Sequence, residues 1–155
     1  MIVRSPRPGE EIYISGLIKC VFDEFIAPGY SAEGVEDFVG FIEPRRILGR
    51  IDGSESFGLV AVSTDKVIGY IEIRENRHIS LLFVDKANHG QGVGTELFCR
   101  ALERCRLYSE VGELTVNSSP YAVPIYRRFG FKETGLEQER NGIRFIPMFF
   151  QVGES

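Results

Sequence analysis

The sequence predicts an α+β domain with a mixed, mostly antiparallel central sheet flanked by helices, and three observations carry that reading. Apolar residues recur at helical spacing in separate stretches near both ends and in the middle. Runs of strand length rich in Val and Ile lie between them. Hairpin-linked strands in the first half give way to a strand, glycine loop, helix order further on. The 155 residues match one domain, and a chain of this size buries roughly two thirds of its unfolded surface, enough for one sizeable core. No repeat, linker or low-complexity stretch divides residues 1–155.

A short strand at Ile2 to Ser5 opens the chain, and Pro6 to Gly9 breaks it. Glu10 and Glu11 then place acidic groups in the favoured first turn of a helix. Its apolar set Ile14, Leu17, Ile18, Val21, Phe22 and Phe25 follows helical spacing until Pro28 and Gly29 stop it. Ser31 is placed to cap a second helix, whose Val35, Phe38, Val39 and Ile42 line one face before Pro44 interrupts. Two helices thus precede most of the sheet. Phe57 to Thr64 and Val67 to Arg74 read as a hairpin turning at Asp65-Lys66. His78 to Val84 follows a polar turn and is apolar from Ile79 on, as a mid-sheet strand buried on both faces would be. The loop Asp85 to Gly92 leads into a helix carrying Val93, Leu97, Ala101, Leu102 and Cys105 on one face. Glu113 to Asn117 is a strand, and Tyr121 to Phe129 a short helix stopped by Gly130. Phe131 to Gly135 and Arg144 to Gln151 close the sheet, with Asn141-Gly142 as a turn. Pro147 marks the last strand as an edge or a bulge, and an edge is open to pairing in a homodimer.

Composition narrows the function classes. A formal charge of -4 and no basic run longer than the pairs Arg45-Arg46 and Arg127-Arg128 argue against nucleic acid, whose affinity comes from clustered Lys and Arg. An acidic surface draws cationic substrates such as amines. Cys20, Cys99 and Cys105 are an odd count without CxxC spacing, so they read as buried free thiols rather than a disulfide framework or a metal site. Neither a signal peptide nor an apolar run of about 18 residues is visible, so the expectation is a cytoplasmic protein without membrane contact.

The most informative segment is His89-Gly90-Gln91-Gly92-Val93-Gly94-Thr95, between a buried strand and an amphipathic helix. Alternating glycines let backbone approach a ligand, and the unpaired first N–H groups of the helix point outward with the positive end of its dipole. That is an anion site suited to a diphosphate, with the Thr95 hydroxyl as a further donor. The spacing of Gly90, Gly92 and Gly94 fits neither a Walker loop nor the dinucleotide fingerprint.

With Gly92 and Gly94 opening a helix after a central strand, the sequence resembles the GNAT superfamily of acyl-CoA-dependent N-acyltransferases, whose signature is Arg/Gln-x-x-Gly-x-Gly/Ala. His89 stands where that family usually carries Arg or Gln. The stretch Leu114 to Phe131 resembles the family's strand, short helix and next strand, with Asn117, Ala122, Tyr126, Gly130 and Phe131 at matching places. The resemblance implies two central parallel strands splayed into a V that admits the pantetheine arm, with Phe83 and Val84 on one limb. It implies cofactor contacts from Phe83, Val84, His89, Gln91, Gly92, Gly94, Thr95, Asn117 and Tyr126, acetyl-CoA as co-substrate, and no metal.

Direct transfer from a thioester to an amine needs a neutral nucleophile, stabilisation of the carbonyl oxygen and a proton for the thiolate. Tyr126 resembles the family's general acid and, as a phenol, is protonated at neutral pH. The oxyanion donor is expected from a main-chain N–H near Val84, where the family's strand bulges. Glu72, on a strand face with Tyr70 and Arg74, and His78, at the start of the strand leading to the acyl site, are the two candidate bases. The expected acceptor is a small-molecule or peptide amine. Tyr30, Phe38, Phe41, Phe145 and Phe149 are read as core in preference to acceptor pocket. The alternative from another class is a non-catalytic acyl-CoA sensor or interaction module on the same site.

Overall fold

A computed structural model describes residues 1–110 and 112–153. The elements are β1 (Ile2–Arg4), α1 (Glu11–Phe25), α2 (Ala32–Phe41), α3 (Pro44–Asp52), β2 (Ser56–Ser63), β3 (Lys66–Arg74) and β4 (His78–Val84), then α4 (Val93–Tyr108), β5 (Glu113–Ser118), α5 (Val123–Phe129), β6 (Lys132–Glu133), β7 (Gln138–Arg140) and β8 (Ile143–Gln151). The sheet runs in the order β1-β2-β3-β4-β5-β8-β6, with β7 also paired to β8. All pairs are antiparallel except β4 with β5.

Two apolar layers cover the sheet. On one face Ile14 and Ile18 of α1 and Ile47 of α3 pack on Val60, Tyr70 and Leu81. On the other, Val93, Leu97, Phe98 and Ala101 of α4 and Tyr126 of α5 pack on Ile71, Ile79, Leu114 and Val116. Ile79 and Leu81 are two residues apart on one strand yet serve opposite faces. The register with β3 explains this: Glu72 faces Leu81 and Ile73 faces Ile79, leaving Ser80 as an extra residue. Such a bulge reverses the alternation. It lies four residues before Val84, where the bulge was expected.

The strand β4 is central as predicted, but it is not buried on both faces along its whole length. Ile79 and Leu81 are buried whereas Leu82, Phe83 and Val84 are half-buried. The parallel partner explains the difference. β4 and β5 pair only at His78–Thr115 and Ile79–Val116 and then part, the splay that the family resemblance implied.

Other boundaries differ from the sequence reading for identifiable reasons. Pro44 does not simply end a helix; it occupies the first turn of α3, where a missing N–H costs nothing, so three helices precede β2. The first hairpin turns at Thr64 and Asp65, both at positive φ, one residue earlier than expected. Asn141 and Gly142 form the last hairpin turn at φ of 53° and 79°. The strand expected at Phe131 to Gly135 is only the two residues of β6, and the fully exposed β7 carries no apolar pattern to announce it.

The strand β8 is not an edge. It has β5 on one side and β6 and β7 on the other, which removes the open edge that the homodimer reading used. Thr134 N–H bonds the Pro147 carbonyl at 2.9 Å, so Pro147 turns its peptide groups, including the missing N–H, toward the break between β6 and β7. The proline splits its partner strand instead of ending its own. Cys105 is buried, and burial pushes its thiol up to about 11, while Cys20 and Cys99 are exposed, contrary to the expectation for all three. Of the aromatics read as core, Phe145 is buried, but Tyr30, Phe38, Phe41 and Phe149 are only half-buried.

Candidate active site

The splay of β4 from β5 leaves main-chain groups without a strand to receive them. Asp85 N–H bonds the Ile68 carbonyl at 2.8 Å and so faces β3. By alternation Val84, one residue back, and Leu82 turn their peptide groups to the gap. Consistent with this, the Val84 carbonyl accepts a hydrogen bond from His89 Nε2 at 2.7 Å. An extended ligand lying in the gap can pair with these groups as an added strand would.

The start of α4 forms the next wall. Gly90 and Gly92 have φ of 76° and 80°, and a Cβ at either would meet nothing within 4 Å, so it is the left-handed backbone that calls for glycine there. Gly92 is the N-cap, and its carbonyl takes the N–H of Glu96 at 3.0 Å. The N–H groups of Val93, Gly94 and Thr95 therefore point out of the helix end with the positive pole of its dipole, a ready seat for an anion.

The helix α5 supplies the third wall. Tyr126 is 5% exposed, and its hydroxyl has no hydrogen-bond partner among the described residues. No buried polar side-chain atom there lacks a partner either, so this oxygen opens onto the cavity. Burial raises the phenol's pKa above its ordinary value, which keeps it protonated across the neutral range.

These walls enclose a cavity of about 790 Å³. Gly92, Gly94, Thr95, Phe98 and Tyr126 line it from the α4 and α5 layer, and Val21, Ile26 and Phe83 from the α1 side. Residues from both layers line one space because it passes between the parted strands. Phe25 at the end of α1 stacks on Tyr121 at 4.9 Å and lies 5.8 Å from the His89 ring, which bridges the gap at its outer end.

Comparison with known proteins decides the family. The model for the acetyltransferase (GNAT) domain matches residues 26–152. The chain belongs to this family. No curated protein matched its sequence. Among solved structures it is similar to a GCN5-related N-acetyltransferase from Rhodopseudomonas palustris, at 19% identity, TM-score 0.83 and coverage of 97% of this chain and 95% of that one. A PaiA N-acetyltransferase from Thermoplasma acidophilum in complex with coenzyme A is 17% identical with TM-score 0.81, covering 97% and 98%. An aminoglycoside 6'-N-acetyltransferase from Enterococcus faecium is 14% identical with TM-score 0.70, covering 100% and 99%. At these identities the likeness concerns the fold.

In this GNAT chain the cavity brings together most of the residues expected to meet a cofactor: Phe83, Val84, His89, Gly92, Gly94, Thr95 and Tyr126. It does not include Gln91, whose side chain bonds Asn88 at 3.3 Å and the Ala87 carbonyl at 3.4 Å. Asn117 also lies outside. It is exposed on the opposite sheet face, where it lines a shallow pocket of about 400 Å³ with His78 and Thr115. His78 Nδ1 is 2.8 Å from Thr115 Oγ1. Burial, and then the charge of Arg74, lower the His78 pKa, so its ring is neutral at pH 7.

Glu72 is fully buried under α3, with Arg50 Nε 2.7 Å from Oε2 and the Tyr70 hydroxyl 2.8 Å from Oε1. Arg50 also donates to the Phe41 carbonyl at 2.9 Å and stacks 3.8 Å over the Phe41 ring. Sequence reasoning missed Leu82, Tyr121, Ile125, Arg128 and Cys99 as cavity residues. The spacing of Tyr121, Ile125 and Arg128 along one helical face was the available signal for three of them.

Proposed function

We propose that this GNAT chain transfers an acetyl group from acetyl-coenzyme A directly to a primary amine within a ternary complex. One observation supports the reading above the others: a single cavity holds outward amides at a helix start, unpaired strand amides beside a gap, and a protonated phenol with no protein partner. A diphosphate carrying an extended amide-containing arm matches those three features in order. The Thermoplasma acidophilum neighbour was solved with coenzyme A, and that is the ligand we assign here. Arg128 on the cavity wall adds a cation on the side where the phosphates would lie.

In this reading the diphosphate takes the N–H groups of Val93, Gly94 and Thr95, and the arm runs along Leu82 and Val84. The Val84 carbonyl must then exchange its bond with His89 for one from the ligand. The amine attacks the thioester carbon, and the charge growing on the carbonyl oxygen is received by a main-chain N–H that faces the gap. The carbon–sulfur bond breaks and the sulfur takes the Tyr126 proton, and the proton that the nitrogen sheds as it becomes an amide restores the phenol. On the opposite face His78, neutral and half-buried at the edge of the shallow pocket, accepts the proton of the substrate ammonium through water before the attack. Glu72 is the poorer base, because accepting a proton would break a closed ion pair with Arg50.

The test is to screen primary amines with acetyl-coenzyme A while recording thiol release, alongside calorimetry of coenzyme A binding. Amine-dependent thiol release supports the assignment. Coenzyme A binding without turnover of any amine would make the chain an acyl-CoA-binding module, and no binding at all would remove the site itself.

A further inference from the structure

One hydrogen bond reaches from the glycine loop to the gap side of β4. His89 Nε2 lies 2.7 Å from the Val84 carbonyl. A carbonyl oxygen only accepts, so Nε2 carries the hydrogen and donates it. That carbonyl sits on the part of β4 that has left β5, and an extended amide arm in the gap would use it as a strand partner. In the free protein a side chain therefore does for Val84 what the arm would do.

The other polar side chains of the loop bond elsewhere. Asn88 Nδ2 donates to Gln91 Oε1 at 3.3 Å, Gln91 Nε2 to the Ala87 carbonyl at 3.4 Å, and Lys86 Nζ to Glu24 at 2.6 Å. Among the described residues, His89 is the one side chain of residues 86–92 that bonds β4. Little holds its ring in place. The residue is exposed, the Phe25 ring centroid is 5.8 Å away at a tilt of 40°, and Gly90 follows at φ 76° with open space where a Cβ would lie. The ring can leave Val84 without disturbing the core. It lines the same cavity as Gly92, Gly94 and Thr95, beside the outward amides at the start of α4.

Building on the acetyl-transfer reading, we infer that His89 is a latch: its ring holds the place of the arm until a diphosphate draws it off, and so restricts the site to thioesters that carry a diphosphate. The Nε2 hydrogen has two acceptors within its range of movement, the Val84 carbonyl and a phosphate oxygen seated on the α4 amides, and it cannot be shared well between them. A ligand with an arm but no phosphate must turn the ring out into water and offers it nothing in return. Coenzyme A offers a charged acceptor, and hydrogen bonds to charged groups are roughly twice as strong as those between neutral groups. The phosphate end of the ligand thereby opens the way for its own arm.

The experiment titrates two ligands into wild type, His89→Ala and His89→Gln: coenzyme A, and pantetheine, which has the amide arm and the thiol but no phosphate. Calorimetry follows the first, and NMR shifts of the Val84 and Gly92 amides follow the second. His89→Ala should bind pantetheine about fivefold tighter than wild type, the worth of one net hydrogen bond, and coenzyme A no tighter. His89→Gln keeps a side-chain N–H and should fall between the two. A gain for pantetheine alone is the signature, because a ring that merely supported the loop would weaken both ligands when removed. Pantetheine bound no tighter by His89→Ala than by wild type, undetected binding in both included, would overturn the inference. So would an equal gain for coenzyme A, which would make the ring an obstacle indifferent to phosphate. Wild type that binds no coenzyme A would strike the transfer reading itself, and the latch with it.

Discussion

In the proposed transfer, Tyr126 and His78 divide the proton chemistry by where each is buried. The Tyr126 phenol is 5% exposed and its pKa is raised by burial, so it stays an acid at any working pH. Tyr126→Phe removes the proton and keeps the ring that packs on Phe129 and Phe131. We expect kcat to fall roughly a hundredfold with coenzyme A affinity unchanged, as turnover and calorimetry would show. His78 is shifted the other way, by burial first and Arg74 second. Because its pKa is lowered, the basic form is present from neutral pH down past the ordinary histidine range and is lost only as pH falls through the lowered value. The acidic limb of kcat/KM should therefore lie below pH 6.5, about the unperturbed histidine value, and His78→Ala should flatten that limb. A limb that survives in His78→Ala would move the base role elsewhere, with Glu72 next to be tested. At this scale the sequence reading named residues that the structure gathers around one cavity, such as Gly92, Gly94 and Tyr126. It also named Asn117 and Gln91, which lie outside that cavity, because which way a side chain turns depends on strand phase and on local bonds that spacing does not encode.

Between elements, the buried ion pair of Arg50 and Glu72 joins α3 to β3, and through the Phe41 carbonyl it also holds the end of α2. Glu72 is inaccessible while the Arg50 side chain is 23% exposed, so removing the arginine leaves a carboxylate with only Tyr70 to satisfy it. Arg50→Met should cost on the order of 3 kcal/mol in chemical denaturation. Adding Glu72→Gln should recover most of that loss, because a neutral amide can stay buried with the Tyr70 hydroxyl. An Arg50→Met variant as stable as wild type would show the pair to be incidental. The same region shows why some elements were legible and others not. α1 and α4 declare themselves by long apolar faces, whereas α3 buries only Ile47 fully and begins with a proline that reads equally well as a stop. β7 is exposed throughout, and Pro147 marks a break whose location, in the partner strand, emerges only from the register.

Across the whole molecule, the element order and the central place of β4 follow from periodicity, but the gap does not, because splaying is an absence of pairing and leaves no pattern in composition. Its physical consequence is that β4 and β5 are held together by only two residue pairs at one end and by contacts across the gap at the other. A ligand that pairs with the peptide groups of Leu82 and Val84 while anchored at α4 fastens the two halves of the sheet to each other. Coenzyme A at a hundred times its Kd adds about 2.7 kcal/mol of stability by mass action, which for a domain of this size raises Tm by about 5–10 °C. Calorimetry should record that rise, and amide hydrogen exchange should show new protection at Leu82, Val84 and the first turn of α4. A comparable rise in Tm without protection at those amides would mean that the ligand binds the folded chain somewhere other than the gap, since mass action stabilises from any site but only a ligand in the gap can cover those N–H groups.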